Sequence, residues 1–165
     1  ISLEIPDNGG VYLIPAFAGL SAPYWLPNAK AMYYGISAAT NYKHLVRASL
    51  ESVAYQIVVY LDYLQDSENI NISKIIIEGG MSNNNFLIQL LANLTNKEIK
   101  IPLFADMSAY GSLLKGLLSS NKLNDFEDLK KYTVKTKSFF PTVDKKSYEN
   151  FETWKEIIDK HYINI

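Results

Sequence analysis

Lys74-Ile75-Ile76-Ile77-Glu78-Gly79-Gly80-Met81-Ser82-Asn83-Asn84-Asn85-Phe86-Leu87 carries the decisive local pattern of this chain. Residues suited to a buried strand, Lys74 to Ile77, run into two glycines, and small polar residues then open an apolar helix. The pattern predicts strand, turn and helix, with the helix start above the sheet edge. Unpaired N–H groups and the positive end of the helix dipole favour an anion or a nucleotide at such a place. Glycine at Gly79 and Gly80 suits a positive φ or close passage of the backbone past a ligand. A plain tight turn between strand and helix has the same spelling, so this stretch alone leaves both readings open.

Composition narrows the classes. A length of 165 residues suffices for one domain with its own core, and 48% hydrophobic with 20% charged residues is ordinary for a globular protein. A net charge of -1 supplies no attraction to nucleic acid or an anionic membrane, and neither is expected as a partner. The absence of cysteine excludes disulfides, thiolate chemistry and cysteine-ligated zinc, and it fits a reducing cytoplasm, the expected location. No apolar run approaches the ~18 residues that span a bilayer, and no signal-peptide pattern is seen. Because the chain starts at Ile1 rather than Met, it is expected to be an excised part of something longer.

Outward from the central turn, strands are predicted at Val11–Ile14, after the Asp7-Asn8-Gly9-Gly10 turn, and at Ala31–Ile36, with a Gly-, Pro- and aromatic-rich loop from Pro15 to Pro27 between them. Thr40-Asn41 then caps a long helix whose apolar stripe is Leu50, Val53, Ala54, Ile57, Leu61 and Leu64, ended by the polar segment Asp66–Asn71. Asn83 or Asn84 caps a second helix that buries Phe86, Leu87, Leu90, Leu91 and Leu94. Glu98–Leu103 reads as a strand, and Ser108 as the cap of a third helix carrying Leu113, Leu114, Leu117 and Leu118. Gly111 in that helix costs about 1 kcal/mol relative to Ala, which points to a close backbone neighbour or ligand. From Asn121 the pattern loosens, ending in an amphipathic helix around Tyr148, Phe151, Trp154 and Ile158. Alternating strand and helix predicts an α/β fold.

Three segments together resemble the C-terminal part of the FGGY carbohydrate kinases, the glycerol kinase branch above all. The run Val11-Tyr12-Leu13-Ile14-Pro15-Ala16-Phe17-Ala18-Gly19-Leu20-Ser21-Ala22-Pro23-Tyr24-Trp25 is similar to one family segment. Ala31, Tyr33, Gly35 and Ile36, then His44, Leu45, Ala48, Ser49, Leu50 and Glu51, follow the spacing of another, continued by Ser52-Val53-Ala54-Tyr55-Gln56. The Glu78–Asn85 turn resembles the third, with Glu78 where the family usually has Asp; Ala31 and Ala38-Ala39 also depart from common Gly and Arg-Gly. The resemblance covers roughly residues 9 to 120, with residues 121 to 165 expected as a helical extension of the same C-terminal kinase domain.

The resemblance implies a ribonuclease-H-like, actin-like ATPase domain, with a mixed sheet and packed helices, forming most of the second domain of a two-domain kinase. It implies ATP and Mg2+ as cofactors of the whole protein, with Gly80 and Asn84 contacting the adenosine end of the nucleotide and Gly79 sharing their turn. Ser108-Ala109-Tyr110-Gly111 falls on a segment near the same side. The whole protein is expected to phosphorylate glycerol, or another polyol or sugar such as xylulose, as a homo-oligomer. The hydroxyl-deprotonating Asp and the phosphate loops lie upstream in the family, so no catalytic residue is assigned here and this chain alone is expected to be inactive. A non-catalytic fragment binding nucleotide or a partner is the reading from another class.

The remaining chemistry-bearing residues read more plainly. His44 suits a polar or capping role at a helix start, and the distant His161 gives it no company as a metal ligand. Arg47 and Glu51, four apart on a helix, predict a surface ion pair worth at most about half a kcal/mol, with a structural role for Glu51 beside a cleft as the alternative. Asp106 reads as compensating a helix dipole. Tyr24-Trp25 reads as an exposed aromatic pair serving loop packing, or else a ligand platform. An exposed apolar face is expected where a missing domain would pack.

Overall fold

A computed structural model describes residues 4–67, 69–104, 106–123 and 125–163. Two sheets organise it. Strand β1 (Tyr12–Ile14) pairs antiparallel with β2 (Met32–Tyr34), Leu13 opposite Tyr33. The other sheet has the order β3-β4-β5: β3 (Ile75–Ile76) runs parallel to β4 (Ile99–Pro102), and β5 (Thr136–Phe139) lies antiparallel on the far side of β4. This sheet is therefore mixed, as expected. Strand β5 was not visible in the sequence pattern. Its residues are exposed or half-buried throughout, so it lacks the alternation that marks a strand with one buried face.

Helix α1 (Tyr42–Ser67) starts where Thr40-Asn41 predicts. Asn41 Oδ1 accepts from the Lys43 N–H, while His44 Nδ1 accepts from the Asn41 N–H, a reciprocal pair of bonds at the helix start. The capping role expected of His44 is what the structure shows. The buried face of α1 differs from the predicted one: Ala48, Glu51, Ser52, Ala54, Tyr55, Val58 and Val59 are buried, and of the expected stripe only Ala54 is, with Ile57 half-buried against the core and Val53 exposed. The cause is polar satisfaction, which hydropathy does not count. Glu51, 2% exposed, accepts from Asn8 Nδ2 at 2.9 Å, from Arg47 Nε at 2.9 Å and from the Tyr55 hydroxyl at 3.3 Å. Arg47 also reaches the Ile5 carbonyl at 2.8 Å, and its guanidinium lies 4.8 Å from the centre of the Phe86 ring. The expected surface ion pair is thus a buried polar knot that ties the Asp7–Gly10 turn to α1.

Helix α2 (Asn85–Thr95) buries Leu87, Ile88, Leu90, Leu91, Ala92, Asn93 and Leu94 against α1 and the sheet. Helix α4 (Lys145–Ile158) closes the core with Phe151, Trp154, Ile157 and Ile158. It is tethered to β1 at both ends of a polar ladder: Trp154 Nε1 donates to the Leu13 carbonyl at 2.8 Å, and the Tyr12 hydroxyl to Asn150 Oδ1 at 3.3 Å. A buried indole finds its acceptor, so the ring's apolar area is gained without an orphaned N–H.

Helix α3 (Met107–Ser119) corrects two expectations. Its cap is Asp106, whose Oδ1 accepts from the Ala109 N–H at 2.8 Å, rather than Ser108; a carboxylate at that position both bonds an N–H and meets the positive helix end. No residue of α3 is buried: Leu114, Leu117 and Leu118 are half-buried and Leu113 is exposed. Gly111 has no close neighbour either, since a Cβ there would meet nothing within 4 Å among the described residues. The Tyr24-Trp25 pair also divides: Trp25 is 69% exposed, whereas Tyr24 packs on the core, and burial pushes its phenol up to about 12.

Candidate nucleotide site

The parallel pair β3 and β4 brings two carboxyl-terminal strand ends side by side, and the crevice beyond such ends is where open α/β sheets seat ligands. Pairing continues past the strands: the Ile77 N–H donates to the Lys100 carbonyl at 3.0 Å, and the Leu103 N–H to the Lys135 carbonyl at 2.7 Å. Glu78 leaves β3 at the rim of this crevice. Gly79 follows with φ 94° and ψ 178°, a conformation open essentially only to glycine. A short 3-10 turn, Gly80–Asn83, then leads into α2, held by the Ser82 N–H and hydroxyl, which both donate to the Gly79 carbonyl at 3.0 and 2.7 Å.

A cleft of about 470 Å3 opens over this turn, within the ~300–1,000 Å3 range of small-molecule sites. Glu78, Gly79, Gly80, Ser82, Asn83 and Asn85 form one side. Ile101, Pro102, Leu103 and Phe104 form an apolar wall, and Lys137 of β5 lines the cleft beside Ile101. Among the described residues a Cβ on Gly79 or Gly80 would meet no atom within 4 Å, and both glycines line the cleft. Phe104 is backed by Tyr110 of α3 at 5.0 Å between ring centres, which brings part of the Ser108–Gly111 segment to the wall.

Gly79 and Gly80 therefore both line the cleft, whereas Asn84 is not among its lining residues. Asn84 caps α2, its Oδ1 accepting from the Leu87 N–H at 3.2 Å. The helix start that the sequence offered as an anion seat is thus bonded by the chain's own carboxamide. Asn83 and Asn85 flank it and do line the cleft. Sequence reading missed Lys137 and Phe104. The β-branched run Thr133, Val134, Thr136 before Phe139 was the one signal for the strand that places Lys137.

The model of the FGGY family of carbohydrate kinases, C-terminal domain, matches residues 3–120. The chain belongs to that family. It is 34% identical over 158 residues to the glycerol kinase of Clostridium perfringens, covering 95% of this chain and 32% of that protein. The glycerol kinase of Haemophilus influenzae is 32% identical over the same length. Among solved structures, Plasmodium falciparum glycerol kinase with ADP superposes with a TM-score of 0.85 at 25% identity, over 99% of this chain and 33% of that one. A xylulose kinase from Brucella ovis shares the fold, with a TM-score of 0.81 at 22% identity over 94% of this chain and 33% of that one. The fold is thus that of the actin-like ATPases, and the FGGY chain spans about a third of the length of the relatives it matches. No described helix is long and apolar enough to cross a membrane.

Proposed function

We propose that this FGGY domain is the adenosine side of an ATP-dependent kinase whose acceptor is glycerol, the turn Gly79-Gly80 passing close to the nucleotide and Asn84 holding that turn in place. One observation carries the reading: two glycines, one of them in a glycine-only conformation, front an open cleft at paired parallel strand ends. The curated relatives being glycerol kinases, and a solved relative holding ADP, support the same ligand and acceptor. The cleft fits a base and sugar, with an apolar wall for a ring and polar rim groups for hydroxyls.

The chain's chemistry stops short of phosphoryl transfer. Mg2+ would travel with the nucleotide's phosphates, which this reading places against the rest of the whole protein. Among the described residues Glu78 is the one carboxylate lining the cleft. In this reading the group that accepts the hydroxyl proton comes from the rest of the whole protein, and the chain by itself binds nucleotide without turnover. The whole protein is cytoplasmic and homo-oligomeric in this reading, and residues 1–165 supply most of its second domain. A xylulose kinase is the alternative within the family, to be separated by assaying the whole protein with glycerol and pentuloses.

Gly80→Val in the whole protein is the test. The new side chain enters open space, so folding is kept while the nucleotide's approach is blocked. ATP affinity should fall at least tenfold; unchanged affinity overturns the assignment.

A further inference from the structure

Among the described residues Lys137 is the one cationic side chain lining the cleft, and the sequence pattern did not reveal the strand that carries it. Strand order fixes its place: Lys137 lies opposite Ile101 on the β5 side of the cleft, while Glu78 leaves β3 on the other side of β4. Its ammonium is already aimed. Nζ donates to Asn85 Oδ1 at 3.1 Å and sits 4.5 Å from the centre of the Phe139 ring. A second hollow, of about 360 Å3 and lined by Phe86, Leu90 and Asp144 among others, lies beyond this Lys137–Asn85 bond, which therefore forms the partition between the two.

Donor chemistry then separates the two ends of the cleft. An ammonium has three N–H donors and no acceptor, and one donor is used on Asn85. What meets it must accept. The neighbouring wall of Ile101, Pro102 and Phe104 is apolar and suits a planar ring. On the β3 side the Glu78 carboxylate offers acceptor oxygens, which suit the hydroxyls of a sugar. A purine nucleoside offers this pairing, ring nitrogens that accept at one end and ribose hydroxyls that donate at the other. We propose that Lys137 reads the base: its ammonium donates to a ring nitrogen of the bound purine, held in position by Asn85 and Phe139. This rests on the nucleotide reading above and adds to it a residue and an atom class.

The test is titration of the 165-residue chain with adenosine, and with analogues in which a single ring nitrogen is replaced by C–H, for the unmodified chain, Lys137→Met, Lys137→Arg and Gly80→Val. Met keeps the apolar stem, and the exposed position leaves the melting temperature unchanged. A hydrogen bond to a charged group predicts a loss of adenosine affinity of roughly 10- to 100-fold in Lys137→Met, with partial retention in Lys137→Arg. One analogue should lose a similar factor in the unmodified chain and nothing further in Lys137→Met. Equal adenosine affinity in Lys137→Met, or an analogue series that loses nothing or loses the same factors in both chains, overturns the proposal. If Gly80→Val abolishes binding and Lys137→Met does not, only the role of Lys137 is lost. If the unmodified chain does not bind adenosine, the nucleotide reading falls with it.

Discussion

Two polar regions of this domain are built on opposite plans. In the knot around Glu51, the side chains of Asn8, Arg47 and Tyr55 converge on one carboxylate, and Asn8, Glu51 and Tyr55 are 2% exposed or less. In the cleft around Gly79 and Gly80, the backbone has no protein neighbour where a Cβ would be, and Lys137 and Glu78 face solvent. The first region spends its hydrogen-bonding capacity inside the fold and supplies rigidity. The second keeps capacity for a ligand. A strongly bonded charged group is thus a poor guide to chemistry here, and the weakly bonded cleft is the better one.

The contrast can be broken by mutation. Glu51→Ala should have the largest effect on stability, about 3–5 kcal/mol, because it leaves a largely buried guanidinium without its carboxylate. Chemical denaturation measures it, and a cost under 1 kcal/mol would mean the knot is no stronger than a surface pair. Asn84→Ala should cost about 1 kcal/mol through loss of the α2 cap, with adenosine affinity changing only as far as the turn loosens. A loss of affinity as large as that expected for Gly80→Val would instead place Asn84 on the ligand.

A smaller effect lies in pH. Burial pushes the Glu51 carboxyl above its ordinary value, against the pull of Arg47. The folded state therefore holds this proton more tightly than the unfolded chain, and stability falls as pH rises from the ordinary Glu value of 4.5 through the raised folded value. Asp144 acts oppositely. Burial raises it, but bonds from Ser147 and Asn93 outweigh that and hold it low, so its contribution is present above 3.8 and lost as pH falls through the lowered value. Melting curves across this acid range should show the Glu51 slope vanish in Glu51→Gln and persist in Asp144→Asn.

The sequence by itself determined the local devices. Asn41 with His44, Asn84 and the Gly79-Gly80 turn were legible because each acts within a few residues of itself, through caps and glycine-only backbone. Family segments in order pointed to the actin-like fold, and the family model matches residues 3–120. Tertiary structure decided the rest. Burial of Glu51 depends on Asn8, 43 residues away, which no periodicity can register. Strand β5 exists because β4 offers it an edge, its own residues being largely exposed. Lys137 reaches the cleft only by that pairing, 52 residues from the Asn85 that holds it. Short-range hydrogen bonding is written in neighbouring residues, whereas a cleft wall assembled across a sheet is fixed only when distant strands meet.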